Sequence, residues 1–468
     1  METVLPQTDK DDARAIDTEI LRLGDELSNL MKGRLPSVFD RGYWQGRLLD
    51  WAMKDPGFKL DLLRFVDVLP ALKTDRQLSV HVNEYLQKDG RELPALLSTA
   101  VKIAGSGIAP RLGAMAVRRG VTQLAGQFII GDDPASALKV IEKMQRDGFA
   151  FTVDLLGEAT VSDVEALAYR NRYLALIDEL SARTESLPAD DVITRNHLGP
   201  IPVANMSLKV SAMDSQLDSL DRPGCVSRLK ETVLPIFLRA KEKNVFVNVD
   251  LEQWELHGIT YDLFEEILGH GELKGWPHIG IVVQAYLKNA EKEVERLLSL
   301  AKSRGAPITV RLVKGAYWDY ELVRAKQSGY PCPVFTDKGA ADANYEKLSR
   351  RLLDSIDNLI PAFGSHNHRS LLNAVALADR KKIPANAYEI QMLYGMAEPE
   401  RKAFRDMGKR VRLYAPVGEL LPGIGYLVRR LLENTSNQGF LRLSYREKAD
   451  PKELLARPVP AGDKVKRQ

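Results

Sequence analysis

From Phe149 onward, short apolar runs rich in valine, isoleucine and phenylalanine alternate with charged stretches of helical periodicity; before Gly148 only helical patterns occur. Between Asp11 and Lys32 the apolar positions Ile16, Ile20, Leu23, Leu27 and Leu30 fall four, three, four and three residues apart. That heptad-like stripe predicts an amphipathic helix. It is too short for a coiled coil, and it reads either as a face packed on its own domain or as a dimerisation arm. More helix follows through Val101 to Gln145, broken at Pro56, Pro70 and the Gly105-Ser106-Gly107 turn.

The apolar runs are Phe149–Leu156, Asn205–Val210, Val245–Asp250, Ile279–Tyr286, Ile308–Val313, Ala362–Ser365, Ala387–Leu393 and Val411–Tyr414. Arg222–Lys243, Ala290–Arg304, Ala340–Asn358 and Glu398–Gly408 are among the helical stretches between them, and Leu421–Asn434 follows the last run. Eight βα units in about 290 residues predict an α/β fold, a (βα)8 TIM-type barrel after an all-helical N-terminal region. A doubly wound open sheet is the alternative, although it usually has fewer strands. The expected divisions are a helical arm at 1–60, a helical linker domain at 61–147, the barrel at 148–445 and a tail at 446–468.

Chemistry in such barrels sits at the carboxyl ends of the strands, and the polar residues cluster there. The first run passes through Asp154 and on to Glu158, the second carries Lys209, the third ends in Asp250 and the fourth in Gln284-Ala285-Tyr286. The fifth runs out through Arg311 into Lys314, Gly315, Tyr317 and Trp318, the sixth ends in Ser365-His366-Asn367, Glu389 and Gln391 lie in the seventh, and Tyr414 ends the eighth. An ionisable group in an apolar strand is costly unless partnered, so several converging at one rim suggest a site. Arg311 and Lys314 beside a glycine suit an anionic ligand such as a phosphate or a reduced flavin. Lys209 and Lys314 equally suit Schiff-base chemistry in an aldolase. His366 and His368 form an H-x-H pair, but no third or fourth ligand is near and no metal site is expected. On the last helix Tyr426, Arg429, Arg430 and Glu433 share adjacent faces, and paired arginines suit bidentate capture of a carboxylate.

Charge and composition narrow the classes. Lysine and arginine number 66 against 63 acidic residues, so no nucleic-acid partner is expected. The two cysteines, Cys225 and Cys332, lie far apart without metal-ligand spacing, which fits a reducing, cytoplasmic compartment. There is no signal-peptide pattern and no apolar run long enough to span a bilayer. Gly105-Ser-Gly107 and Gly423-Ile-Gly425 each lack a third glycine and a strand–turn–helix context, which disfavours a dinucleotide fold. A non-catalytic scaffold using the N-terminal helix as an interaction arm is the reading from outside enzymology.

Val310-Arg-Leu-Val-Lys-Gly-Ala-Tyr-Trp-Asp319, Tyr414-Ala-Pro-Val-Gly418 and Tyr426-Leu-Val-Arg-Arg-Leu-Leu-Glu-Asn434 together resemble the proline dehydrogenase family. The resemblance is closest to the proline dehydrogenase half of bifunctional proline utilization A. Met206-Ser-Leu-Lys-Val-Ser211, Val249-Asp250, Val283-Gln-Ala-Tyr286 and Ser365-His-Asn367 fit it in order, over roughly residues 145–445 plus a helical arm. It implies FAD, a distorted barrel, and oxidation of L-proline to Δ1-pyrroline-5-carboxylate with electrons passed to a quinone. Peripheral contact with the inner membrane follows from the quinone, and homo-oligomerisation through the N-terminal arm stays open. Carried over, Arg429, Arg430 and Lys209 would hold the substrate carboxylate, Tyr414 and Tyr426 would pack on the ring, and Glu433 would orient the arginines. Asp250, Ala316 and Tyr317 would complete the pocket, and Glu158 would pair with Arg429 as a gate. Gln284, Arg311 and Lys314 would face the flavin and its phosphates. Trp318, Thr336, Lys338, Ser365, His366, Asn367, Gln391 and Met392 would line the rest. Neither cysteine is placed to be the nucleophile of the aldehyde dehydrogenase half. The N-terminus does not resemble the ribbon-helix-helix DNA-binding domain that some members carry.

Overall fold

Eight parallel strands close into a barrel in the computed structural model, which describes residues 7–32, 68–86, 128–157, 160–184, 190–419 and 451–459 and the isolated positions 34, 57, 61, 64, 65 and 126. The strands are β1 (Ala150–Leu155), β2 (Asn205–Leu208), β3 (Phe246–Val249), β4 (Ile279–Gln284), β5 (Ile308–Val313), β6 (Leu359–Gly364), β7 (Glu389–Leu393) and β8 (Val411–Val417). Each pairs with the next in sequence, and β1 closes the ring on β8 with Ala150 opposite Arg412. All eight runs read from the sequence are strands. The sixth begins at Leu359 rather than Ala362, because Pro361 lies inside it, opposite Val310, where an interior proline argues against a strand.

Three helices precede the barrel among the described residues: α1 (Gln7–Met31), α2 (Asp75–Leu86) and α3 (Pro134–Arg146). Asp133 and Ser136 form a reciprocal capping box at the start of α3. The barrel helices are α4 (Asp163–Thr184), α5 (Arg222–Glu242), α6 (Trp254–Leu268), α7 (Ala290–Arg304), α8 (Trp318–Ser328), α9 (Lys338–Leu353), α10 (His368–Arg380) and α11 (Glu398–Asp406). Parallel strands covered by helices are apolar on the outward face as well, and Val153, Met206, Val247, Ile281, Val310 and Leu413 are all buried there.

A barrel helix normally keeps one wet face, yet every residue of α10 from His368 to Ala378 is buried. The cover is α1, which packs across α10 and α11. Its seam is Ile16, Ile20, Leu23, Leu27 and Met31, with Leu30 only half-buried. The stripe therefore follows the 3.6-residue period of a straight helix rather than the 3.5 of a heptad. It packs against the chain's own barrel. Asp12 pairs with Arg380 and Arg350, and Asp17 pairs with Arg369 and Arg457 of the 451–459 segment. At the amino-terminal end of the barrel the short hairpin Arg195–Asn196/Gly199–Pro200 lies across the opening, its Arg195 carbonyl accepting from Arg410 at 2.8 Å. No described helix is long and apolar enough to cross a membrane.

Candidate active site

Alternation along a strand sends every second side chain into the barrel, and at the carboxyl ends these inward positions are polar. Arg311 on β5 reaches across to two other strands. Its guanidinium donates to Asp250 Oδ1 at 2.5 Å and to Ser207 Oγ at 3.0 Å, and it lies 5.3 Å over the Tyr414 ring. Tyr414 donates its hydroxyl to the other oxygen of Asp250 at 2.7 Å, and Asn248 donates to Asp250 Oδ1 at 3.1 Å. Burial pushes the Tyr414 phenol well above the ordinary tyrosine range, and the charges of Asp154 and Asp250 push it further, so it stays neutral and donates its O–H to Asp250.

Lys209, one residue past β2, makes an ion pair with the fully buried Asp154 of β1. Burial alone would lower the lysine, but Asp154, Asp250 and Glu252 outweigh it and hold the ammonium above its usual range. A lysine kept charged is a poor Schiff-base nucleophile, which counts against the aldolase alternative. Glu252 accepts from the Ser211 hydroxyl at 2.7 Å and its N–H at 3.1 Å. Gln284 Nε2 donates to the carbonyls of Leu251 and Glu252, fastening β4 to the loop after β3.

The loop after β5 makes the second wall. Gly315 has φ +122°, and a Cβ there would sit 2.6 Å from atoms of the Tyr286 ring, so backbone and ring approach as only glycine permits. Lys314 pairs with Asp342 of α9. Ala316 is exposed, Tyr317 is half-buried at the start of α8, and the Trp318 indole donates to the Phe335 carbonyl at 2.7 Å. Lys338 lies 5.3 Å over the Trp318 ring, near the exposed Thr336. After β6, Ser365 Oγ accepts the Asn367 N–H, and Asn367 caps α10 by accepting from Ser370 at 2.9 Å. His366 Nε2 accepts the Leu393 N–H at 3.2 Å, so the neutral ring carries its proton on Nδ1. His368 turns instead towards Glu400 of α11, 3.5 Å away, so the two histidines do not converge. Among the described residues no group of three metal-ligating side chains is assembled.

The structure thus gathers Lys209, Asp250, Gln284, Arg311, Gln391 and Tyr414 on the inner face of the barrel, with Lys314, Gly315, Trp318 and Ser365–Asn367 on the loops above. Strand parity puts the Met392 side chain on the opposite face from Gln391, buried in the core between sheet and helices. Glu158, Tyr426, Arg429, Arg430 and Glu433 lie outside the described residues. Sequence reasoning gave no role to Ser207, Asn248 and Glu252, although Ser207 and Asn248 share strand parity with Lys209 and Asp250, a signal that could have found them. It also left unpaired the buried cluster lower in the barrel. There Glu389 accepts from Arg412 at 2.7 Å and 2.9 Å, from Gln391 at 2.6 Å, and lies 3.2 Å from Arg410. A chamber of 160 Å³ adjoins it on the amino-terminal side of Arg311, away from the loops.

Among the buried polar atoms without a partner here are Arg311 Nε, a donor, and Gln391 Oε1, an acceptor. A planar heterocycle with both acceptors and an N–H suits that pair, and Lys314 and Lys338 supply charge suited to phosphates.

The proline dehydrogenase family model matches residues 137–443, and the model of the proline utilization A N-terminal domain matches residues 17–128. Bifunctional protein PutA of Escherichia coli is 32% identical over 364 residues, which cover 75% of this chain and 27% of that protein. Proline dehydrogenase 2 of Bacillus subtilis is 29% identical over 329 residues, covering 70% of this chain and 92% of that one. Among solved structures, proline utilization A from Bdellovibrio bacteriovorus inactivated by N-propargylglycine superposes with a TM-score of 0.85 at 40% identity, covering 95% of this chain and 44% of its own. The chain spans about a quarter of the length of the curated bifunctional relatives it matches. With a closed parallel barrel, a polar rim at its carboxyl ends and a family match over most of that barrel, the chain belongs to the proline dehydrogenase family.

Proposed function

We propose that this chain oxidises L-proline to Δ1-pyrroline-5-carboxylate with FAD bound at the mouth of the barrel, passing the electrons on to a quinone. The observation that carries the reading is the buried Arg311–Asp250–Tyr414 network at the strand ends. It fixes a permanent positive charge and a neutral phenol side by side. The flavin would supply the hydride acceptor and the electron store. Arg311 would place its charge beside that acceptor and favour its anionic reduced form. Gln284, Lys314, Trp318, Thr336, Lys338, Ser365, His366, Asn367 and Gln391 would hold the rest of the cofactor.

On the substrate side, Lys209 would meet the proline carboxylate together with Arg429 and Arg430, oriented by Glu433. Charge-assisted bonds of this kind fix the direction of the ring. Tyr414, Tyr426, Ala316 and Tyr317 would pack on the ring, Asp250 would hold Tyr414, and Glu158 would close on Arg429. Delivery to a quinone implies peripheral contact with a membrane from a cytoplasmic location.

An anaerobic absorbance spectrum before and after L-proline tests the reading. A flavin spectrum that bleaches is the expected result. A flavin that proline leaves oxidised would point to another amine, and no flavin even after added FAD would return the scaffold reading.

A further inference from the structure

We propose that Asp154 is a positioning residue for Lys209, holding the ammonium charged and in place for a substrate carboxylate; this rests on the function proposed above. Asp154 is fully buried on the inner face of β1. It lies level with Ser207 of β2, and Lys209 follows two residues later, on the same face of an extended backbone. The two strands therefore bring carboxylate and ammonium together by register alone.

The neighbours assign the pairing. Three carboxylates face Lys209: Asp154 from β1, Asp250 after β3 and Glu252 from the loop beyond it. Asp250 already receives Arg311, Tyr414 and Asn248, and Glu252 receives both donors of Ser211. Asp154 Oδ1 binds Lys209, and its Oδ2 has no hydrogen-bond partner. The other titratable groups nearby are Tyr173 of α4 and Tyr414, both held far above the ordinary tyrosine range by burial and the surrounding carboxylates, and the permanently charged Arg311. Without Asp154, Lys209 would keep its burial cost but lose the counter-ion it touches, and a buried lysine in that position sheds its proton more readily. The arrangement makes Asp154 the group that keeps Lys209 able to bind an anion as pH rises.

The test uses the flavin-loaded protein and cyclopentanecarboxylate, a ring acid with no amine of its own to titrate. Its Kd is read from the perturbed flavin absorbance between pH 7 and 10, after L-proline has been shown to bleach the parent. Asp154→Asn should weaken binding about tenfold or more, as expected for a lost charge-assisted contact, and the loss should grow with pH. Lys209→Met should bind weakly at every pH, and adding Asp154→Asn to it should change Kd by less than about twofold, since the residue acts only through the lysine. Asp154→Asn with Lys209→Arg should give a pH-independent Kd, because arginine keeps its charge.

Parent-like binding in Asp154→Asn, or an equal further loss on top of Lys209→Met, overturns the proposal. Should Asp154→Asn alone lose its flavin, the Asp154→Asn, Lys209→Met protein decides. Removing both charges should restore the fold, and flavin loss there too would mean that Asp154 supports something other than Lys209. A parent flavin that proline does not bleach removes the functional reading and the proposal with it. A parent that bleaches beside variants that bind like it removes the proposal alone.

Discussion

Glu389 is held by two arginines inside the barrel, where a lone charge of either sign would be costly. Burial pushes its carboxyl up, but Arg412 and Arg410 outweigh that and bring it down to about 2. A depressed carboxylate contributes stability above its ordinary range and loses it as pH falls towards the folded value. Glu389→Gln should therefore cost about 3–5 kcal/mol in urea unfolding at neutral pH, and the gap to the parent should narrow between pH 4.5 and about 2. A constant gap would argue against the ion pairs as its source. At Gly315 a methyl group meets the Tyr286 ring on a backbone of φ +122°. Gly315→Ala should strain the loop by about 1–3 kcal/mol and yield protein with less bound flavin; full flavin content would show that the loop adapts. Lys209, Arg311 and Tyr414 were legible in the sequence because a polar residue ending an apolar run stands out. Their partners were not, since Asp250 with Arg311 and Asp154 with Lys209 meet through strand register. The facing of Met392 was hidden for a simpler reason: neighbours in a strand face opposite sides, and motif membership carries no parity.

Among the elements, α1 shows what periodicity can and cannot tell. Its apolar stripe was plain from the spacing, whereas its partner was open between a second copy and its own barrel. The seam ending at Met31 rather than Leu30 is the mark of a straight helix lying over α10 and α11. Ile20 is completely buried in that seam. Ile20→Asp should cost more than about 3 kcal/mol in urea unfolding, as an unpaired charge in a core does. A loss below about 1 kcal/mol would mean that α1 does not pack there in solution. The strand at Leu359 was read three residues late because proline is rare inside a sheet, and only the neighbouring strands reveal that this one tolerates it.

For the molecule as a whole, the eight strands were countable because each is buried on both faces and so reads as an unbroken apolar run. Closure was not directly visible, since β1 and β8 meet across more than half the chain. A flavin bound only by the folded barrel should raise its melting temperature as FAD is added to apoprotein, by mass action. A chelator should leave both the melting temperature and the rate of proline oxidation unchanged; a rate that falls with chelator and returns with added metal would contradict the flavin mechanism proposed here. The covering of α10 has one more consequence. The Arg369 guanidinium, on that helix, binds Asp17 of α1 and the Leu455 carbonyl of the 451–459 segment, at 2.8 Å and 3.0 Å. Arg457 then closes on Asp17 itself. Glu346 of α9 holds the other side of the Arg369 guanidinium at 2.7 Å and 3.0 Å, so one buried side chain clasps four separate stretches of the chain together.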